Sequence, residues 1–249
     1  MACTWVAHLG AGGASPGPII PYACSDIVVV GHSAPHVAGP ATRTHVAPTT
    51  SGIRVVGIRF RPGATRIAFG CDASELLDAD PELRAVCGSS VNTLVDDLSS
   101  APHPVAMRAT LERWARTRVA REPSRDSRAL SAANALVSGR VRTVRDLSAA
   151  LGWSERRLHR EITATCGYGP KTLQRIVRMQ RVVRRARRAA SDTSSLASTR
   201  VSLTRLALDA GYADQAHMTR EFRDLTGYTP RTLLALTHAD VGRWLDHTE

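Results

Sequence analysis

The chain has 249 residues, 43% of them hydrophobic and 4% aromatic, with 33 basic against 22 acidic residues and a net charge of +11. The length allows two domains, and no apolar run is long enough to span a bilayer, so the protein is expected to be soluble and cytoplasmic with no membrane partner. Its five cysteines, Cys3, Cys24, Cys71, Cys87 and Cys166, are odd in number and lack metal-ligand spacing, which argues against a disulfide scaffold or a thiolate metal site.

Residues 1–21 are rich in Gly, Pro and Ala without a clear period and read as irregular, partly disordered chain. Residues 26–30 and 53–60 are β-branched runs bounded by Gly, Pro and Ser, the mark of strands, and residues 35–46 are expected to hold one or two more. Pro62 and Gly63 form a turn. The pattern then becomes helical over 73–79, 82–86 and 91–98, with Asp72 and Ser90 as candidate N-caps. A longer helix is predicted over 105–120, with Met107, Leu111, Trp114 and Arg118 along one stripe. The polar, Pro-containing residues 121–129 read as a linker.

Beyond it, helices are predicted over 130–137, 146–151 and 155–165, with Ser154 capping the last. Residues 171–190 read as one long basic helix that includes Lys171 and Arg175. Residues 191–200 are Ser/Thr-rich and look flexible. Residues 203–210 form a short amphipathic helix, and another begins near Asp214. This order predicts an α+β chain: a β-rich domain over 1–120 and an all-α domain over 130–238, with a tail from 239 to 249.

The charge is uneven. Residues 130–249 hold 20 basic and 11 acidic residues, whereas residues 1–129 hold 13 and 11. A domain with such an excess attracts polyanions. In the same region, residues 211–230 read G-Y-A-D-Q-A-H-M-T-R-E-F-R-D-L-T-G-Y-T-P. Met218, Phe222 and Leu225 fall on one helical face, and Gln215, Thr219, Arg220 and Arg223 lie opposite. A short helix, a Gly-containing turn and a second helix with a polar outer face make a helix-turn-helix DNA reader.

The unit occurs twice. Leu147, Ala150 and Gly152 correspond to Leu206, Asp209 and Gly211. After the turn, Leu158, Ile162, Gly167, Tyr168, Pro170 and Leu173 correspond to Met218, Phe222, Gly227, Tyr228, Pro230 and Leu233. The second offset is one residue longer, so the first turn is one residue shorter. In the first copy, Arg156, Arg157, His159 and Arg160 face outward if Leu158 and Ile162 face the core. Such side chains pair with base edges and phosphates. Glu161 and Glu221 are expected to pair with neighbouring arginines.

On these residues, 141–236 resembles the double helix-turn-helix domain of AraC/XylS-type bacterial transcription regulators. R-V-V-G-I-R-F-R-P-G at 54–63 resembles the N-terminal domain of one branch of them, over about 26–88. The resemblance implies base contacts from Arg156, His159 and Arg160 in the first unit. In the second it implies Gln215, Ala216, Thr219 and Arg220. Arg157, Lys171, Arg175, Arg223 and Arg231 are expected to contact phosphate or to support the readers. The family joins its halves more directly than residues 191–200 do here. The four-thiolate site of the DNA-repair relatives is missing.

In the first half, His8, His32, His36 and His45 do not form a clear ligand set, and surface or turn positions are the default. Asp26, Arg43 and His45 are candidates for an effector pocket. No catalytic constellation stands out. The sequence therefore reads as a sequence-specific transcription regulator, not an enzyme, with no cofactor or metal. Its partners would be promoter DNA, RNA polymerase, a small-molecule effector and a second copy in a homodimer. The alternative, an enzyme or sensor domain fused to a DNA-targeting module, would need a titratable cluster in the first half.

Overall fold

A computed structural model describes residues 2–8, 18–46, 52–121, 127–141, 143–191 and 202–240. Strands β1 (Ala2–His8), β2 (Ser25–Val30), β3 (His36–Ala38) and β4 (Arg54–Phe60) form one antiparallel sheet in the order β1-β4-β2-β3. The strand at 2–8 corrects the expectation of irregular chain there: buried Trp5 and Ala7 alternate with half-buried Val6, and residues 2–8 pair along the whole of β4. A further bridge joins Ile19 to His45.

The period of two sorts the strands into faces. Ile27, Val29, Val56, Ile58 and Phe60 point to one face, where helices cover them. Trp5, Ala7 and Val55 cluster on the other face. Gly57 lies beneath Trp5, and a Cβ there would stand 2.3 Å from Trp5 Cζ2, so the indole requires glycine at this point. Asp26 and Arg59 are cross-strand partners on the same face, joined by a buried ion pair of 2.8 Å. Burial opposes the charge of Arg59, but Asp26 more than offsets it and holds the guanidinium protonated.

The helices covering the first face are α1 (Thr65–Phe69), α2 (Leu83–Cys87), α3 (Asn92–Ser99) and α4 (Pro104–Arg121). Met107, Leu111 and Ala115 of α4 are buried against the sheet. Arg118 continues that stripe, and its Nε reaches the carbonyls of Ile67 and Ala68. Two local expectations change. Residues 73–79 hold only a 3-10 turn, Ala73–Leu76, because Leu77 is extended and Asp78 adopts φ +55. Asp78 is fixed there by Thr42, whose backbone N–H and hydroxyl both donate to its carboxylate at 2.6 Å. Ser90 caps nothing: it lies inside a second 3-10 turn, and its hydroxyl donates to Cys87 O.

The second half is helical: α5 (Ser127–Ser138), α6 (Val144–Leu151), α7 (Glu155–Cys166), α8 (Pro170–Ser191), α9 (Leu203–Ala210), α10 (Gln215–Thr226) and α11 (Pro230–Asp240). The first of these begins at Ser127, inside the expected linker. The expected flexible stretch 191–200 lies, apart from Ser191 at the end of α8, outside the described residues. Helix α8 is the axis of this half and touches α5, α7, α9, α10 and α11. Its Leu173, Ile176, Met179, Val182 and Val183 are fully buried.

This core also takes in Ile20 and Ala23 from the N-terminal region. The chain there lies over α8 as a strap. Gln180 Nε2 donates to Pro21 O at 2.6 Å. The Tyr168 hydroxyl lies 3.0 Å from Tyr22 O and 3.1 Å from Ala41 O. Burial pushes its ionisation well above the usual tyrosine range, so it stays a donor. The sheet-bearing half is therefore bonded to the first helix-turn-helix unit.

Candidate nucleic-acid interface

The two units are built by the same local chemistry. In the first, Thr143 accepts a hydrogen bond from the N–H of Asp146 at the start of α6. Gly152, at φ +65, ends that helix, and Trp153 N–H returns to Ser148 O at 2.9 Å. In the second, Gly211 at φ +92 ends α9, and Tyr212 N–H returns to Ala207 O at 3.0 Å. Only a residue tolerant of the left-handed region can reverse the chain at these points. Ser154 then caps α7 by accepting from Arg157 N–H, and Asp214 caps α10 by accepting from His217 N–H at 2.6 Å. Three residues separate α6 from α7 and four separate α9 from α10, the one-residue difference expected from the two offsets.

The caps fix the phase of each second helix. Leu158 and Ile162 of α7 are fully buried, as are Met218 and Phe222 of α10. Arg156, Arg157, His159 and Arg160 of α7 are exposed, as are Gln215, Ala216, Arg220 and Arg223 of α10, with Thr219 half-buried. In α10, Gln215, Ala216, Thr219, Arg220 and Arg223 line one open depression of about 440 Å³. The second-unit residues expected from the sequence thus share one surface. Thr204 donates to Gln215 Oε1 at 2.9 Å, which leaves the amide N–H groups of Gln215 as its outward donors. Thr219 is turned onto its own helix, its hydroxyl donating to Gln215 O.

The first unit is less uniform. His159 packs back onto the start of α8, since a Cβ at Gly169 would stand 2.5 Å from its Nε2. Arg160 reaches Glu161 at 3.0 Å. The guanidinium of Arg157 lies 4.8 Å from the centre of the Trp153 ring, with that of Arg128 at 5.6 Å. At the matching place in the second unit, Arg178 lies 5.4 Å from the centre of the Tyr212 ring and His217 meets it edge-on. Stacking of this kind holds Arg157 on the turn.

The two glutamates differ. Glu161 is half-buried, while Glu221 is buried between α10 and α8. Glu221 accepts from Arg178 at 2.8 Å and from Arg175 at 3.2 Å, and Arg175 also reaches Asp224 at 3.0 Å. Lys171, Arg223 and Arg231 are exposed. Burial raises Tyr212 above the usual range, and Glu221 adds to the shift. Sequence reasoning missed Tyr168 and Gln180 as the residues that bond the first reader and α8 to the N-terminal half. The repeated Gly-Tyr-x-Pro pointed to Tyr168, but nothing local reveals that its hydroxyl binds residues 22 and 41.

A cleft lined by Tyr22, Arg59 and Arg184 includes none of the expected effector-pocket residues. Asp26 is consumed by Arg59, whereas Arg43 and His45 are exposed. His32 is exposed, His36 lies 3.3 Å from Asp80, and the side chain of His8 is outside the described residues. Among the described residues no group of three His, Cys, Asp or Glu could hold a metal ion, and no helix is long and apolar enough to cross a membrane.

Residues 147–235 match a family described as a helix-turn-helix domain, and residues 1–82 match a domain of unknown function, DUF6597. No curated protein matches the chain. Among solved structures, ToxT from Vibrio cholerae O395 aligns over 96% of this chain and 98% of its own, at 10% identity and a TM-score of 0.49. Unsaturated fatty acid bound wild-type ToxT from V. cholerae strain SCE256 aligns over 95% of each chain, at 11% identity and a TM-score of 0.44. The capped, duplicated units and the family match lead to one assignment: residues 147–235 belong to the helix-turn-helix family in its AraC-type double form, and the chain is a DNA-binding transcription regulator.

Proposed function

We propose that α7 and α10 enter successive major grooves on one face of promoter DNA and read an asymmetric site. The observation that carries this is the pair of equivalent units packed on a single helix. At 1.5 Å per residue, the 22 residues of α8 extend roughly 33 Å, close to the ~34 Å of one DNA turn. The outward faces differ, so the two elements of the site differ as well.

In the first unit Arg156 and Arg160 take guanine edges, and His159 contributes from its place beside Gly169. In the second, Gln215 offers its amide donors, Ala216 and Thr219 contact a thymine methyl or a base edge, and Arg220 takes a guanine. Lys171, Arg223 and Arg231 contact phosphates. Arg157 and Arg175 hold the readers in position. The sheet-bearing residues 1–120 form a regulatory domain, bonded to the first reader through its strap, that receives a small-molecule effector and forms a homodimer. The regulator works in the cytoplasm through RNA polymerase and catalyses no reaction itself.

Selection of binding sequences from a random DNA pool with the full-length protein tests the reading. One asymmetric consensus with two unlike elements about a helical turn apart supports it. A palindromic or featureless consensus contradicts it.

A further inference from the structure

We propose that the cleft between the sheet-bearing half and α8 binds a small, multiply charged oxyanion, a phosphorylated or polycarboxylate metabolite. The cleft has a volume of about 700 Å³, within the size range of small-molecule sites. Tyr22, Arg59 and Arg61 line it from one side, Arg140 stands near the end of α5, and Arg184 and Arg188 line it from α8. The lining contains no carboxylate among the described residues. Asp26, which neutralises Arg59 from the neighbouring strand, is not part of the lining.

Arg184 shows why this charge calls for a ligand. It is half-buried, and its pKa is lowered by burial and by the neighbouring Arg181 and Arg188. A desolvated charge such as that of Arg184 opposes the folded state unless an anion compensates it. A side chain needed only for packing would not have to carry that charge. Guanidinium groups converging on a cleft are suited to oxyanions, because each fork offers paired donors to carboxylate or phosphate oxygens. Tyr22 and the apolar Ile176 and Val177 supply the non-polar part of the wall. The cleft is less suited to a DNA backbone, since α8 is covered at this level by the strap that Gln180 binds through Pro21 O.

An anion held by Arg61 and Arg184 would tie the end of β4 to the helix that spaces the two readers. This consequence for DNA binding rests on the function proposed above, while anion binding itself does not. The site thereby gives the expected effector a place and a chemical class.

The test is calorimetric titration of the full-length protein with inorganic pyrophosphate and with citrate, at constant ionic strength. The expected result is saturable one-to-one binding of at least one anion, weakened about tenfold or more by Arg61→Gln and by Arg184→Gln. A preference for pyrophosphate assigns a phosphorylated ligand, and a preference for citrate assigns a polycarboxylate. Should Arg184→Gln fail to fold, Arg61→Gln on the exposed rim decides alone. Arg61→Gln should keep its affinity for the selected DNA in the absence of anion. The proposal is overturned by no binding beyond a matched chloride control, by binding indifferent to the substitutions, or by loss of DNA affinity in anion-free Arg61→Gln. Failure to select any DNA consensus would remove the proposed reading mechanism and leave the calorimetric result standing.

Discussion

Arg178 of α8 and Glu221 of α10 form a bidentate ion pair, with Arg178 Nη2 3.1 and 2.8 Å from the two carboxylate oxygens of Glu221. The second reading helix is thus bonded directly to the helix that also packs on the first. Its placement does not depend on residues 192–201 alone. Removing one member of a buried pair leaves the other uncompensated. Glu221→Ala should cost about 3 kcal/mol of stability, read from denaturant unfolding. In a double-mutant cycle, Arg178→Ala should add much less on that background. Full additivity would show that the pair contributes nothing.

Tyr168 and Tyr228 occupy equivalent places in the repeat, but only the Tyr168 hydroxyl is buried against carbonyls of the N-terminal half. Tyr168→Phe removes the only proton that Tyr22 O and Ala41 O share with that ring. The expected cost is about 1–3 kcal/mol. Tyr228→Phe should stay within about 0.5 kcal/mol of wild type. Equal melting temperatures for both variants would contradict the strap as a structural bond.

Arg220 stands exposed at the rim of the α10 depression, one turn beyond Ala216. Arg220→Ala should lose discrimination at one base pair by about 1–3 kcal/mol while retaining general affinity. The measurement is competition between the selected site and its single-base variants. An unchanged preference would remove Arg220 from the base-reading set.

A fragment of residues 127–249 carries both readers and should bind the selected DNA. It should also melt below the full-length protein, because Tyr168 and Gln180 lose their partners at residues 21, 22 and 41. The N-terminal fragment, residues 1–121, should show no sequence preference. Specific binding by that fragment would reverse the proposed division of labour.

The readers were legible because their signals are local. Capping residues, glycine turns and apolar spacing all lie within a few positions of one another, and their recurrence aligned the two copies. Strand β1 was hidden: Trp5 and Ala7 alternate over only seven residues, and the flanking Gly, Pro and Ala pointed to irregular chain. The pairing of Asp26 with Arg59, and of Tyr168 with residues 22 and 41, depends on long-range register that no local pattern encodes. His159 was expected to face outward from helical phase, which fixes where its Cβ points. Its ring direction is set by the space that Gly169 leaves, a feature of the next helix.

The central claim is that α8 holds two unlike readers at a fixed separation on one face of DNA. It is tested most directly by inserting five base pairs, half a helical turn, between the two elements of the selected site and measuring affinity at constant salt. The second reading helix would then meet the wrong side of the duplex. The account predicts loss of most of the affinity, down to that of a site carrying one element alone. Unchanged affinity for the lengthened site would contradict it, because the readers would then act independently or only one of them would touch DNA.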